Sequence, residues 1–190
     1  STTWFTSDLH LGHPSVAAMR GFADPGDHDA AVLDAIRSRV GPRDTLWVLG
    51  DLALSGLTSA LTAVAALPGT KHLVFGNHDG GHPMHRRSSV LHHRYLDTFA
   101  SVQSVATRKF GGTTVLLSHF PYSGDHTAVQ RYPQWRLRDC GVPVLHGHTH
   151  TATRQSTSTN GTPQIHVGLD AWGLAPVRLD AALDLLGSTR

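Results

Sequence analysis

The sequence predicts an α/β fold, on two observations. Through its first half, apolar runs of strand length alternate with longer segments whose apolar residues recur at helical spacing, the pattern of strand–helix–strand units. Most of these runs stop at Gly, Asp, Asn or His, so metal-ligating residue types collect just beyond strand ends. A sheet fixes the backbone there, while the adjoining loops leave side chains free to converge.

In chain order, Thr2–Thr6 reads as a short strand running into Ser7-Asp8. A loop rich in Gly, Pro and Asp (Gly21 to Asp27) follows, and then Ala30, Val32, Leu33, Ile36 and Val40 mark an amphipathic helix ending near Gly41-Pro42. Thr45–Leu49 is a continuous apolar strand that stops at Gly50-Asp51. Leu57 to Leu67, rich in Ala and Leu, is a helix closed by Pro68-Gly69, and His72–Phe75 is a third strand leading into Gly76-Asn77. The second half is richer in strands. Val102 to Thr107 and Thr113 to Leu117 flank Gly111-Gly112, whose tolerance of positive φ suits a hairpin turn. Val142–Leu145 is a further strand, and residues 151–168 form a second hairpin around Asn160-Gly161. The last helix is Leu179 to Leu186, with Asp180 as its N-cap.

A chain of 190 residues suits one domain spanning 1–190. No apolar stretch reaches the length needed to cross a bilayer. Asp8 and His10 interrupt the first hydrophobic run, so no secretory leader is expected, and the single Cys140 offers no intramolecular disulfide; a cytoplasmic location follows. The net charge is +2, with basic pairs such as Arg86-Arg87 and Arg108-Lys109 separated by acidic residues. That pattern is a solvated surface and gives no extended nucleic-acid face.

Five segments carry the chemistry: Asp8-Leu9-His10, Gly50-Asp51, Gly76-Asn77-His78-Asp79, Ser118-His119 and Gly147-His148-Thr149-His150. Each alone is commonplace, because turns and caps use the same residues. Together they offer carboxylate oxygen and imidazole nitrogen in the mixture that divalent ions of intermediate hardness prefer, and they describe one two-metal hydrolytic site. The chain has 15 histidines, more than one site can use. His82 and His85 are expected on a loop surface, His146 in a structural role or behind the metal ligands, and His28, His72, His92, His93, His126 and His166 outside the chemistry. Tyr122 and Trp172 are expected to pack, and Arg86 with Arg87 to form an exposed pair.

In this order the five segments resemble the calcineurin-like metallophosphoesterases, whose pattern is DxH, GDxx, GNHD or GNHE, an isolated His, and GHxH. Ser7 to His13, Ser118 to Tyr122, Leu145 to His148 and Val167 to Trp172 are similar to the compact, capless bacterial and phage members. The resemblance implies a two-sheet β-sandwich flanked by helices. It implies that Asp8, His10 and His150 hold one divalent metal, that Asn77, His119 and His148 hold another, and that Asp51 bridges them. A hydroxide between the metals would attack phosphorus. His78 would protonate the departing alkoxide, Asp79 would orient His78 and favour its protonated form, and His13 would touch the substrate phosphate. Mn²⁺ is the expected ion, although iron, zinc, nickel and cobalt suit similar donors. With no room for a cap, the chain is expected to act on small phosphodiesters, leaning to cyclic nucleotides including 2′,3′-cyclic monophosphates. Phosphomonoesterase, protein phosphatase and nuclease activities remain alternatives, as does a non-catalytic scaffold that binds a protein partner.

Overall fold

The computed structural model describes residues 1–187. Strand β1 (Thr3–Thr6) leads to helices α1 (Pro14–Met19) and α2 (Pro25–Arg37), then β2 (Thr45–Val48), α3 (Leu57–Ala65), β3 (Thr70–Val74), α4 (Ser88–Leu96) and β4 (Ser101–Gln103). The second half supplies β5 (Val105–Phe110), β6 (Thr113–Ser118), β7 (Val144–His146), β8 (Gln155–Thr157) and β9 (Pro163–His166), followed by β10 (Val177–Arg178) and α5 (Leu179–Gly187).

Two five-stranded sheets result, in the orders β10-β1-β2-β3-β4 and β5-β6-β7-β9-β8. In the first sheet β1 to β4 run parallel, as the strand–helix alternation predicts, and the short β10 closes the edge antiparallel to β1. The second sheet is mixed: β6, β7 and β9 are parallel, while β5 and β8 are antiparallel to their neighbours. The two-sheet sandwich flanked by helices is the architecture found.

Alternation along each strand builds two cores. Leu46 and Val48 of β2 point toward the helices and meet Val32, Ile36, Ala60 and Val64. Trp47 and Leu49 point the other way and join Val115, Leu117, Leu145, Ile165 and Val167 between the sheets. Each such fully buried aliphatic side chain contributes roughly 1.5–3 kcal/mol by leaving water. A strand buried on both faces reads as an unbroken apolar run, and β2 is one.

The structure departs from expectation in four places. The single strand expected over 102–107 is two: β4 pairs with β3, and β5 pairs with β6 in the other sheet. The chain changes sheets at Ser104, where no glycine or proline marks the break. Helix α1 is only six residues long, capped by His13 and opened by Pro14, too short to show a period. Helix α4 buries Tyr95 alone, so it lacks an apolar stripe. Asp180 lies inside the first turn of α5 rather than at its cap, because the helix starts at Leu179 directly from β10. The 25-residue span between β6 and β7 holds one 3₁₀ turn, Pro133–Trp135. Among the described residues no helix is long and apolar enough to cross a membrane.

Candidate metal centre

The loops that follow β1, β2, β3, β6 and β7 meet at one end of the sandwich. Asp8 donates its N–H to Gly50 O at 2.9 Å and His10 donates to Asp51 O at 3.0 Å, which lays the first two loops side by side. Gly50 has φ +93°, and a Cβ there would sit 2.6 Å from the Gly76 nitrogen and 2.6 Å from His119 Nδ1. Only glycine lets the second and third loops approach so closely. Seven non-glycine residues among those described have positive φ, and five of them are predicted ligands: Asp8, His10, Asp51, His148 and His150. Such backbones cost about 1–3 kcal/mol each and persist where the surroundings fix them.

The side chains converge on Asp51. Its Oδ2 lies 3.4 Å from His119 Nε2, 3.6 Å from His10 Nε2 and 3.9 Å from His78 Nε2, and its Oδ1 accepts the His78 backbone N–H at 2.9 Å. His119 Nδ1 faces the Leu49 carbonyl at 2.8 Å, so that nitrogen carries the hydrogen and Nε2 carries the lone pair. That lone pair faces Asn77 Oδ1 at 3.1 Å. Two acceptors pointing at each other are reconciled by a cation. Asp8 takes the His148 backbone N–H at 3.1 and 3.0 Å on its two oxygens, and its Oδ1 is 3.8 Å from His150 Nε2.

Donor atoms of Asp8, His10 and His150 lie within 4.8 Å of one another, as do those of Asp8, Asp51 and His119. Both ring nitrogens of His10 are buried without a hydrogen-bond partner. Burial together with the neighbouring Asp8 and Asp79 carboxylates drives the Asp51 carboxyl well above its usual range. Asp8 is held far below that range, because His150, His119 and His10 outweigh the cost of its burial. Orphaned imidazole nitrogens beside crowded buried carboxylates are the chemistry of a cation site, and divalent ions fit this donor set.

Asp79 does not orient the His78 ring. Its carboxylate accepts three backbone N–H groups, from Gly76 at 2.7 Å, Asp51 at 2.9 Å and Leu52 at 3.0 Å, and is consumed in bracing the loop beneath the site. Nor is the protonated His78 favoured here: burial, with His119 and His13 nearby, pushes its pKa down to about 4. His78 is partly exposed and lines a cavity of about 330 Å³ with His13, Val16, Met19, His126 and Thr149 beside the predicted ligands His10 and His150. His13 caps α1, accepting the Val16 N–H on Nδ1 at 3.4 Å, which leaves the hydrogen on Nε2.

His82, expected on a surface, is 3% exposed and packs edge-on against Phe120 and Trp135. His85 is half-buried and reaches back to the Asn77 carbonyl at 2.8 Å, bracing a ligand loop. His126, expected outside the chemistry, stands in the cavity wall. His146 is buried and stacks on His166, while Arg86 and Arg87 are exposed. Tyr122 packs with its hydroxyl on Val142 O, and Trp172 donates to His166 O beneath the Arg154 guanidinium.

Three supporting residues escaped the sequence reading. Asp170 receives Arg20 in a two-point ion pair at 2.9 Å and faces His150 Nδ1 at 3.0 Å. His150 therefore turns Nε2 toward Asp8, and its pKa is raised although burial opposes this. Arg20 also donates to the Asp8 carbonyl at 2.8 Å. Asp125 approaches His148 Nε2 at 3.0 Å and pairs with Arg131 and Arg136. Asp170 lies in the Val167 to Trp172 stretch already singled out; Arg20 and Asp125 had no local signal, since their partners are distant in sequence.

The sequence pattern of the calcineurin-like phosphoesterase superfamily domain matches residues 3–169. The gene 66 protein of Mycobacterium phage D29 is 50% identical over 180 residues, covering 90% of this chain and 89% of that protein. The gene 66 protein of Mycobacterium phage L5 is 46% identical over 184 residues, covering 91% and 88%. Among solved structures, a protein of unknown function from Aquifex aeolicus has a TM-score of 0.72 at 23% identity, over 97% of this chain and 98% of that one, a likeness of fold. The matched span contains all five ligand-bearing segments, and the chain belongs to the calcineurin-like phosphoesterase superfamily, whose members hydrolyse phosphoric esters.

Proposed function

We propose that the chain is a metal-dependent phosphodiesterase for small diesters, with cyclic nucleotides, 2′,3′-cyclic monophosphates among them, as its preferred class. The observation that carries this reading is the placement of Asp51 Oδ2 at 3.6 Å from His10 Nε2 and 3.4 Å from His119 Nε2, where one carboxylate can serve two cations. Asp8, His10 and His150 would hold one ion, Asn77, His119 and His148 the other. Mn²⁺ is the ion proposed, with iron, zinc, nickel or cobalt as competitors set by availability. When bound, two such ions supply neutralisation of phosphoryl charge and hydroxide near neutral pH.

The chain's own groups complete the site. His13 aims an Nε2–H at a phosphoryl oxygen, held in that tautomer by its capping bond. His78 delivers a proton to the departing alkoxide, worth about 10²–10⁴ in rate, and an anionic diester beside the ring would restore its basicity. Val16 and Met19 give the cavity an apolar side that suits a base or an aryl group, and about 330 Å³ suits a small ligand.

The test is turnover of bis-p-nitrophenyl phosphate by metal-free protein with and without added Mn²⁺, beside a panel of cyclic nucleotides, single-stranded DNA and a phosphopeptide. Mn²⁺-dependent cleavage with cyclic nucleotides fastest is expected. Preference for DNA or the phosphopeptide overturns the substrate class, and no metal-dependent turnover, with His78→Ala indistinguishable, points to a scaffold.

A further inference from the structure

Three of the predicted ligand imidazoles have one ring nitrogen engaged by the protein, whereas both ring nitrogens of His10 are buried without a partner. His119 engages Nδ1 through Leu49 O, and His150 engages Nδ1 through Asp170. His148 is the reverse: its Nε2 meets the Asp125 carboxylate at 3.0 Å, leaving Nδ1 as the free lone pair. Asp125 lies on the long span between β6 and β7, and its side chain is 1% exposed.

That carboxylate is itself held. Arg136, 3% exposed at its side chain, donates to Asp125 Oδ2 at 2.9 Å and to the carbonyls of Pro121, Gly124 and Arg131, each at 2.9 Å. Arg131 adds its backbone N–H to Oδ2 at 3.0 Å and its guanidinium to Oδ1 at 3.0 Å. Asp125, His126 and His148 also place donor atoms within 4.8 Å of one another, yet two guanidinium groups already neutralise this carboxylate, so a dication there would meet repulsion.

We propose that Asp125 is a positioning residue: its carboxylate fixes the tautomer and tilt of His148, so that occupancy of one metal position depends on the arginine-stapled span between β6 and β7. The inference rests on the two-metal reading above. A ligand imidazole anchored through its far nitrogen loses little freedom on binding, and removing such a partner lowers metal affinity by about 10–100-fold. The anchor here comes from a loop rather than from the sheets, so one of the two positions is held by the segment most open to change.

The experiment is titration of metal-free protein with Mn²⁺, reading free ion by electron paramagnetic resonance, for wild type, Asp125→Ala and Asp125→Asn, with circular dichroism on each metal-free sample. Two equivalents are expected for wild type. Asp125→Ala should weaken one of them by about 10–100-fold and leave the other unchanged, and Asp125→Asn, whose amide oxygen still accepts from Nε2–H, should lose less. If Asp125→Ala does not fold, weakening of one equivalent in Asp125→Asn carries the test. Two equivalents at wild-type affinity in the variants overturn the proposal while sparing the two-metal reading. So does retention of both with loss of a third, weaker equivalent, which makes Asp125 itself a ligand. Wild type that binds no Mn²⁺ overturns both.

Discussion

The Asp79 carboxylate accepts the backbone N–H of Asp51 at 2.9 Å, so one aspartate of the predicted site holds the main chain of another. With the N–H groups of Gly76 and Leu52 on the same carboxylate, Asp79 ties the loop after β2 to the loop after β3. Asp79→Ala would strand three buried donors at about 1–3 kcal/mol apiece before relaxation. The expected outcome is a loss of about 3 kcal/mol or more in urea unfolding of the metal-free protein. A stability within experimental error of wild type would refute this bracing role.

His78 and Asp51 should separate chemistry from assembly. His78→Ala should lower kcat by about 10²–10⁴ while Mn²⁺ stoichiometry holds at wild type. Asp51→Asn should lose both turnover and bound metal, because Oδ2 lies between the His10 and His119 Nε2 atoms, at 3.6 and 3.4 Å. Equal metal loss in both variants would place His78 among the ligands.

Asp170 and Arg20 act on the opposite ring of the GHTH segment. Asp170→Ala releases His150 Nδ1 and leaves the Arg20 guanidinium without its carboxylate. We expect Mn²⁺ affinity to fall by about 10–100-fold at one position, with substrate KM little changed at saturating metal. Asp170→Asn retains an acceptor for His150 and should fall less. A drop in kcat that excess Mn²⁺ does not repair would contradict the assignment.

His82, not itself a predicted ligand, provides a pH test. Its ring is buried against Phe120 and Trp135, and burial, with His119 and His85 nearby, takes its pKa down to about 4 from 6.5. The folded pKa lies below the unfolded one, so between pH 6.5 and about 4 the unfolded chain binds the extra proton. Stability therefore falls as pH drops through that window, by up to about 1.4 kcal/mol per pH unit from this group. Urea unfolding at about pH 7 and about pH 5 should show a smaller decline for His82→Gln than for wild type. An unchanged slope would show that His82 protonates freely in the folded state.

The parallel sheet was legible because β2 is a compact apolar run and β3 ends in one, punctuated by Gly50 and Gly76, and each ligand cluster sits where its strand stops. Ligands carry their own chemistry in their residue types, so Asp8, His10 and the GHTH pair could be read in one dimension. Their supports could not. Arg20 meets Asp170 across 150 positions, and Asp125 meets His148 across 23, in relations created only by folding. Helix α4 was illegible for a different reason: it buries one tyrosine, and a helix without an apolar stripe leaves no period to detect. The role the resemblance implied for Asp79, orienting His78, is not where its hydrogen bonds go, because the turn after Gly76 points the carboxylate back under the backbone.

Asp8, His10, Asp51 and Asn77 follow strands of the first sheet, whereas His119, His148 and His150 follow strands of the second. The chain joins those sheets directly at Ser104, and an isolated β-bridge pairs Ser7 with Gly168. Ions shared between the two ligand groups would thus act as rivets across a seam, adding to apolar packing and to polar contacts such as the His148 N–H on Asp8 and the Arg20–Asp170 pair. Metal loading would then appear as common protection of both sheets against hydrogen exchange, binding and cohesion being one event.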